Sequence, residues 1–150
     1  MPSRPRRPTR HDDARKLLVD SGAWIALRSL RDQHHAEAEN LFRAALERRI
    51  PLLTTNLIIA ETHRLTLHRA GVEAAFKALD RIRASSSVTI HFATADDHAA
   101  ALRWLDRLGP RRVTYTDAIS FAVMEASSCT HVLGFDGDFA AAGFSLWRAG

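Results

Sequence analysis

The chain has 150 residues, of which 46% are hydrophobic and 25% are charged, so it is sized for one globular domain and too short for two. Its single cysteine, Cys129, excludes an internal disulfide, and no run of 18 apolar residues is present to span a membrane. These features favour a reducing, cytoplasmic compartment.

The net charge of +4 arises entirely from the N-terminal segment. Residues 1–16 contain six basic and two acidic residues, whereas residues 17–150 contain 15 of each. Because this segment has three prolines and few apolar residues, we expect 1–16 to be a disordered basic tail and 17–150 to form the domain. Two interpretations of the tail stay open: a solvated or vector-derived extension, or an arm that contacts RNA or DNA phosphates.

Short apolar runs alternate with helical patterns along residues 17–150. The first run, residues 16–20, predicts a buried strand that ends in a turn at Ser21-Gly22. Further strands are predicted at 51–54, 88–92, 130–135 and 144–147, and helices at 34–48, 55–69, 72–83, 94–108 and 114–127. The predicted helices between the strands are long enough for the crossovers that parallel strands need. The pattern therefore predicts a three-layer α/β/α fold. Its central sheet is expected to have four to five mostly parallel strands.

Four acidic residues stand where this fold would place a site. Asp20 ends the first predicted strand and Asp136 follows the fourth, and the carboxyl ends of parallel strands share one edge. Glu61 and Asp117 interrupt apolar surroundings. Any one acid has an ordinary structural explanation, as a turn residue or in the first turn of a helix, but Glu61 among isoleucines and leucines needs a partner.

Four carboxylates that converge on one crevice repel each other unless cations neutralise them. Oxygen ligands without cysteine suit Mg²⁺ or Mn²⁺ rather than zinc. Two such ions about 4 Å apart activate water and stabilise both oxygens of an in-line displacement at a phosphodiester. The acids therefore indicate metal-dependent phosphodiester hydrolysis.

Four motifs in this order resemble the PIN-domain ribonucleases, and within them the VapC-type toxins of bacterial toxin–antitoxin pairs. The motifs are LVDS at 18–21, TNLIIAET at 55–62, TDAISFAVM at 116–124 and FDGDF at 135–139, the last followed by AGF at 142–144. The resemblance covers about residues 17–148 and implies a PIN-like fold.

The resemblance also implies roles for particular residues. Asp20, Glu61, Asp117 and Asp136 match the catalytic, metal-binding acids of the family, and Asp138 is a possible fifth metal ligand. Ser21 and Thr116 match small hydroxyl residues beside the acids. The implied activity is Mg²⁺- or Mn²⁺-dependent endonucleolytic cleavage of single-stranded RNA by a homodimeric toxin, which a cognate antitoxin holds inactive.

The chain departs from the family in its basic extension and in the neutral charge of residues 17–150. RNA binding then depends on local arginines, and Arg111-Arg112, just before the Asp117 helix, is the best candidate for a phosphate contact. A solvated loop is the alternative for this pair.

Other metal and phosphate chemistries fit less well. An EF-hand that starts at Asp136 needs Glu at its twelfth position, where the chain has Trp147, and an aspartyl phosphatase needs a lysine after Asp138, where there is none. His34-His35 has no third ligand at zinc-site spacing. Two other functions stay open: a housekeeping PIN nuclease in RNA processing, and a PIN module that binds RNA or protein without turnover.

Overall fold

A computed structural model of the chain describes residues 14–149. Within that range the chain forms five strands and seven helices, and no helix there has the length and apolar character needed to cross a membrane. In chain order the elements are β1 (Leu17–Val19), α1 (Ser21–Arg28), α2 (His35–Glu47), β2 (Leu52–Thr55), α3 (Asn56–Ala70), α4 (Val72–Ala84), β3 (Val88–His91), α5 (Ala95–Leu108), α6 (Tyr115–Ala126), β4 (His131–Leu133), α7 (Asp138–Ala141) and β5 (Ser145–Leu146).

The five strands form one sheet in the order β3-β2-β1-β4-β5, and every neighbouring pair is parallel. The chain steps from β1 through β2 to β3 on one side, and places β4 and β5 on the other side of β1. The strand order therefore reverses between β1 and β4, the position at which open parallel sheets bind ligands.

The helices cover both faces of the sheet. Right-handed crossovers put α1–α4 on one face and α5–α7 on the other, because the two halves of the sheet are built in opposite directions. Aromatic contacts within each group agree: Trp24 of α1 lies 5.2 Å from Phe42 of α2, while Phe121 of α6 contacts Trp104 of α5 and Phe139 of α7. The predicted three-layer α/β/α fold is confirmed.

Three helices begin with a threonine cap at the carboxyl edge of the sheet. The side-chain oxygens of Thr55, Thr94 and Thr114 each accept a hydrogen bond from a backbone N–H three residues later, which fixes the starts of α3, α5 and α6. The caps of α3 and α6 set the rotation of the helices that carry two of the candidate acids.

Some sequence-based boundaries were wrong. Ser21-Gly22 is the first turn of α1 and not a separate turn, and β4 ends at Leu133, so that Phe135 lies in the following loop. Residues 1–13 of the predicted tail lie outside the described residues. Ala14 is buried and the Lys16 ammonium donates to the carbonyl of Ser127 at 2.9 Å, so residues before 17 also contact the domain. The division into a tail of residues 1–16 and a domain of residues 17–150 stays a prediction.

Candidate metal centre

Carboxylates from three separate elements meet at the switch between β1 and β4. Oxygens of Asp20, Asp117 and Asp136 all lie within 4.8 Å of one another. Asp20 follows β1, Asp117 lies in the first turn of α6, and Asp136 is in the loop between β4 and α7. The parallel register of β1 and β4 brings the two loops side by side, since the Asp20 backbone N–H donates to the Leu133 carbonyl at 3.1 Å.

The position of Asp20 depends on Gly134, which directly follows the neighbouring strand β4. Asp20 is 5% exposed, and its Oδ1 atom accepts no hydrogen bond from any residue between 14 and 149. A Cβ atom added to Gly134 would lie 3.2 Å from the Asp20 Cβ, which is tighter than ordinary contact. The absent side chain at position 134 therefore makes the room in which the Asp20 carboxylate sits.

Burial and mutual repulsion raise the pKa of two of the three acids. The pKa of Asp20 rises to about 7, first because burial removes solvent from the charged form and then because Asp117, Glu61 and Asp136 lie nearby. The pKa of Asp117 rises to about 6, mainly through burial and the charge of Asp136. The metal-free site therefore holds protons near neutral pH that ordinary aspartates would have lost.

Glu61 of α3 lies outside the tight group but within its electrostatic reach. Its Oε2 atom accepts a hydrogen bond from the Ser21 hydroxyl at 2.8 Å, which links α3 to the start of α1. Its charge also contributes to the raised pKa values of Asp20 and Asp117. Ser21 thus fixes one oxygen of Glu61 at the start of α1.

Asp138 also lies beside the group, but it has another partner. Its Oδ1 atom is 2.6 Å from Arg111 Nε, and its backbone N–H donates to Asp136 Oδ1 at 2.9 Å. The charge of Asp138 raises the pKa of Asp117, which places its carboxylate near the centre. Arg111 therefore reaches the acidic edge through Asp138.

The remaining candidates flank the centre. Thr116 is half-buried, immediately before Asp117 in α6, and its carbonyl accepts the Ser120 hydroxyl. Arg112 is exposed in the loop before α6.

The donor set fits a divalent cation. Oxygens on opposite sides of one Mg²⁺ are about 4.2 Å apart, close to the spacing of the three carboxylates. The buried Oδ1 of Asp20 lacks the hydrogen bond that a buried oxygen normally has, and a cation would replace that missing partner. The cluster contains neither cysteine nor histidine, which favours a hard, oxygen-bound ion.

Sequence reasoning missed Gly134 and Thr114, two residues that build the centre. Gly134 stands between a buried strand and an acid, a position where glycine signals close approach of another backbone segment. Thr114 stands three residues before Asp117, the spacing of a helix cap. Both signals were present in the sequence, but neither specifies which acid it serves.

Comparisons with known proteins identify the family of the chain. The PIN-domain family model matches residues 17–145, so the chain belongs to the PIN-domain family, whose nucleases generally use divalent metals.

Within the family, the chain is similar to VapC20 of Mycobacterium tuberculosis, named as a 23S rRNA-specific endonuclease. The VapC20 sequences of strains H37Rv and CDC 1551 are each 37% identical to this chain over 128 residues. These alignments cover 85% of this chain and 95% of the relative. The crystal structure of the same relative, described as a toxin that cleaves the sarcin-ricin loop, aligns with a TM-score of 0.82 at 35% identity. That alignment covers 89% of this chain and 100% of the relative.

The raised pKa values predict how stability changes with pH. An acid whose pKa is higher in the folded state stabilises the fold fully below its unfolded pKa and loses that contribution as pH rises through the folded value. In EDTA, we therefore expect the free energy of unfolding to fall from pH 5 to pH 7 by more in wild type than in Asp20→Asn. Urea titrations at several pH values measure the difference, and parallel curves for the two proteins would contradict the pKa assignment.

The tight approach at position 134 predicts the effect of one methyl group. Gly134→Ala should displace the Asp20 carboxylate and weaken Mn²⁺ binding by about 10-fold or more, the usual cost of disturbing the support of a metal ligand. Isothermal titration with Mn²⁺ measures the change. Gly137→Ala is the matched control, because a Cβ there meets nothing within 4 Å. Equal losses in both variants would show that the approach to Asp20 is not responsible.

Proposed function

We propose that this protein is a divalent-metal-dependent endoribonuclease that acts as the toxin of a toxin–antitoxin pair and cleaves ribosomal RNA. The observation that carries the proposal is the meeting of Asp20, Asp117 and Asp136 within 4.8 Å, with a buried and unsatisfied oxygen on Asp20. The name of the similar protein, a 23S rRNA-specific endonuclease, supports RNA as the substrate, and its description as a toxin that cleaves the sarcin-ricin loop supports that loop as the target.

The acids divide the work between holding metal and orienting the water. Mg²⁺ or Mn²⁺, when bound, lowers the pKa of water and offsets charge on the phosphodiester. Asp20, Asp117 and Asp136 would hold the ion or ions, whose positive charge would relieve the repulsion among them in place of bound protons. Glu61 is held through one oxygen by Ser21, so its other oxygen would serve as an additional metal ligand or as a base for the attacking water.

Asp138 and the nearby arginines serve the substrate side of the centre. Arg111 is paired with Asp138 at 2.6 Å, and its guanidinium would also suit an RNA phosphate. Asp138 would be a further ligand for the metal. Arg112 is exposed beside it and adds a second positive charge for the RNA backbone. Thr116 lies at the start of α6, where its hydroxyl is available to a metal-bound water or a phosphate.

The two other functions are less well supported. A PIN module that only binds RNA has no need for an unsatisfied buried carboxylate, which costs stability unless a cation is bound. A housekeeping nuclease would use the same centre, and gene context separates it from a toxin. An open reading frame directly upstream, encoding a DNA-binding repressor with a disordered C-terminal segment, supports the toxin.

Cleavage of defined RNAs tests the nuclease. We expect wild type to cut a hairpin RNA that contains the sarcin-ricin loop in Mg²⁺ or Mn²⁺, and Asp20→Asn to be at least about 100-fold slower, because it removes the most buried ligand. Gel analysis with EDTA as a second control measures both rates. Equal cutting by the two proteins would reveal a contaminant, and no cutting by either would favour the binding module.

A groove between α1, α2 and α4 is the surface that best suits an antitoxin. Its volume is about 460 Å³ and its apolar lining includes Trp24, Phe42 and Ile82. Two buried donors, Trp24 Nε1 and Arg28 Nη2, have no hydrogen-bond partner in the described part of the chain. A partner segment with apolar side chains and a carboxylate would fill the groove and satisfy these donors.

The groove predicts a separation of toxicity from neutralisation. Arg28→Leu should still arrest growth when expressed alone, because Arg28 is not among the carboxylate cluster or its hydrogen-bond partners, but the cognate antitoxin should no longer rescue growth. Colony counts with and without co-expressed antitoxin measure both effects. Arg103→Leu, which changes an arginine on α5, is the control. Full rescue of Arg28→Leu would remove the groove from antitoxin binding.

Homodimerisation and a cytoplasmic location stay predictions made from the resemblance and the composition. The same holds for an RNA-binding arm in the tail of residues 1–16, of which residues 1–13 lie outside the described residues.

A further inference from the structure

Two flat rings stack on each other beside the candidate metal centre. The ring of His34, in the loop before α2, lies 4.1 Å from the ring of Phe135, and the two planes differ by only 5°. Phe135 immediately precedes Asp136, one of the three clustered carboxylates. One member of the His34–Phe135 stack is therefore the chain neighbour of an acid that is proposed to hold metal.

The stack is fixed by contacts on both of its members. The backbone N–H of His34 donates to Asp32 Oδ1 at 2.8 Å. The Arg148 guanidinium carbon lies 5.2 Å from the centre of the Phe135 ring, and its Nε is 3.0 Å from a Glu37 oxygen. The rings are thus oriented before any ligand arrives, which lowers the entropy cost of binding a third ring.

The His34–Phe135 stack differs from the other aromatic contacts of the domain. Phe121 and Phe139 meet edge to face in the core and are fully buried, whereas the His34 side chain is 39% exposed. His98 and Tyr115 are joined by a hydrogen bond and their ring planes meet at 63°, so these two rings do not stack face to face.

His34 is also unsuited to act with its neighbour as a metal ligand pair. The Nδ1 of His35 hydrogen-bonds the carbonyl of Ala26 at 2.7 Å, and its Nε2 lies 3.4 Å from Glu39. Both ring nitrogens of His35 are therefore engaged away from His34.

We propose that His34, supported by Phe135, stacks against an unpaired base of the RNA and so sets which phosphodiester reaches the carboxylates. This inference rests on the proposed ribonuclease function, because it requires RNA as the substrate. Proteins recognise single-stranded RNA largely by stacking splayed-out bases on aromatic side chains, and every base offers a flat face for such contact. The ligand class is a nucleotide in a loop or single strand, not one in a duplex.

Binding of a labelled hairpin RNA tests the proposal without turnover. In an Asp20→Asn background, we expect His34→Ala to weaken binding about 5- to 150-fold, the range for loss of one base–aromatic stack. His34→Phe should restore affinity, because it keeps the flat ring. His68→Ala, which removes an exposed histidine on α3, is the matched control and should bind as its parent does. Thermal unfolding of each variant identifies any that fails to fold.

Abasic nucleotides identify the base that stacks. Each loop nucleotide of the hairpin is replaced in turn by an abasic one, and affinities are measured for the parent and for His34→Ala. At the stacked position the abasic RNA should bind the parent weakly, and His34→Ala should cause no further loss. Equal affinities of His34→Ala and its parent, a uniform loss at all positions, or no binding by the parent would overturn the proposal.

Cleavage assays separate this proposal from the proposed function. If wild type cuts the hairpin and His34→Ala cuts with unchanged KM at the same bond, the stacking proposal fails and the nuclease stands. If wild type does not cut but the position-specific loss of binding is found, the stack is supported and the nuclease assignment fails.

Discussion

The repulsion among three carboxylates at the end of β1 is the constraint on which the site depends. Such a group forms only where the surrounding fold is stable enough to hold it, since each buried charge without a partner costs free energy. Here β1 supplies that stability, because Leu17, Leu18 and Val19 are all fully buried and β1 pairs with strands on both sides. The centre is thus built at the end of a fully buried strand that is paired on both sides.

Three neighbouring residues each help to fix the position of one acid. Gly134 leaves room for Asp20, Thr114 fixes the helix start that carries Asp117, and Ser21 holds one oxygen of Glu61. A cation then adds the last partner. The edge of the sheet that carries the acids lowers the stability of the metal-free protein. The same edge suits a reaction in which charge develops, because fixed ligands need little rearrangement during the chemistry.

The sequence was sufficient to predict the layers, the parallel sheet and the edge that bears the acids, because these follow from strand and helix periodicity. The predicted start of the helix at residue 94 agrees with the structure, where Thr94 and Asp97 form a capping box at the start of α5. The sequence did not show that Asp136 belongs to the tight group whereas Glu61 lies outside it. This difference depends on side-chain rotamers and on the Ser21 hydrogen bond. The Arg111–Asp138 pair and the His34–Phe135 stack join loops distant in sequence, which local patterns do not reveal.

The pairing of β1 with β4 has a consequence for how the protein reaches its active form. These two strands lie near opposite ends of the described chain, and their side-by-side pairing is what brings Asp20 and Asp136 together. Long-range parallel pairing is slow to form, because the entropy of closing a large loop is lost before the contacts compensate for it. A chain that has not yet formed this pairing has dispersed acids, so the carboxylate cluster is assembled only when the two halves of the sheet join.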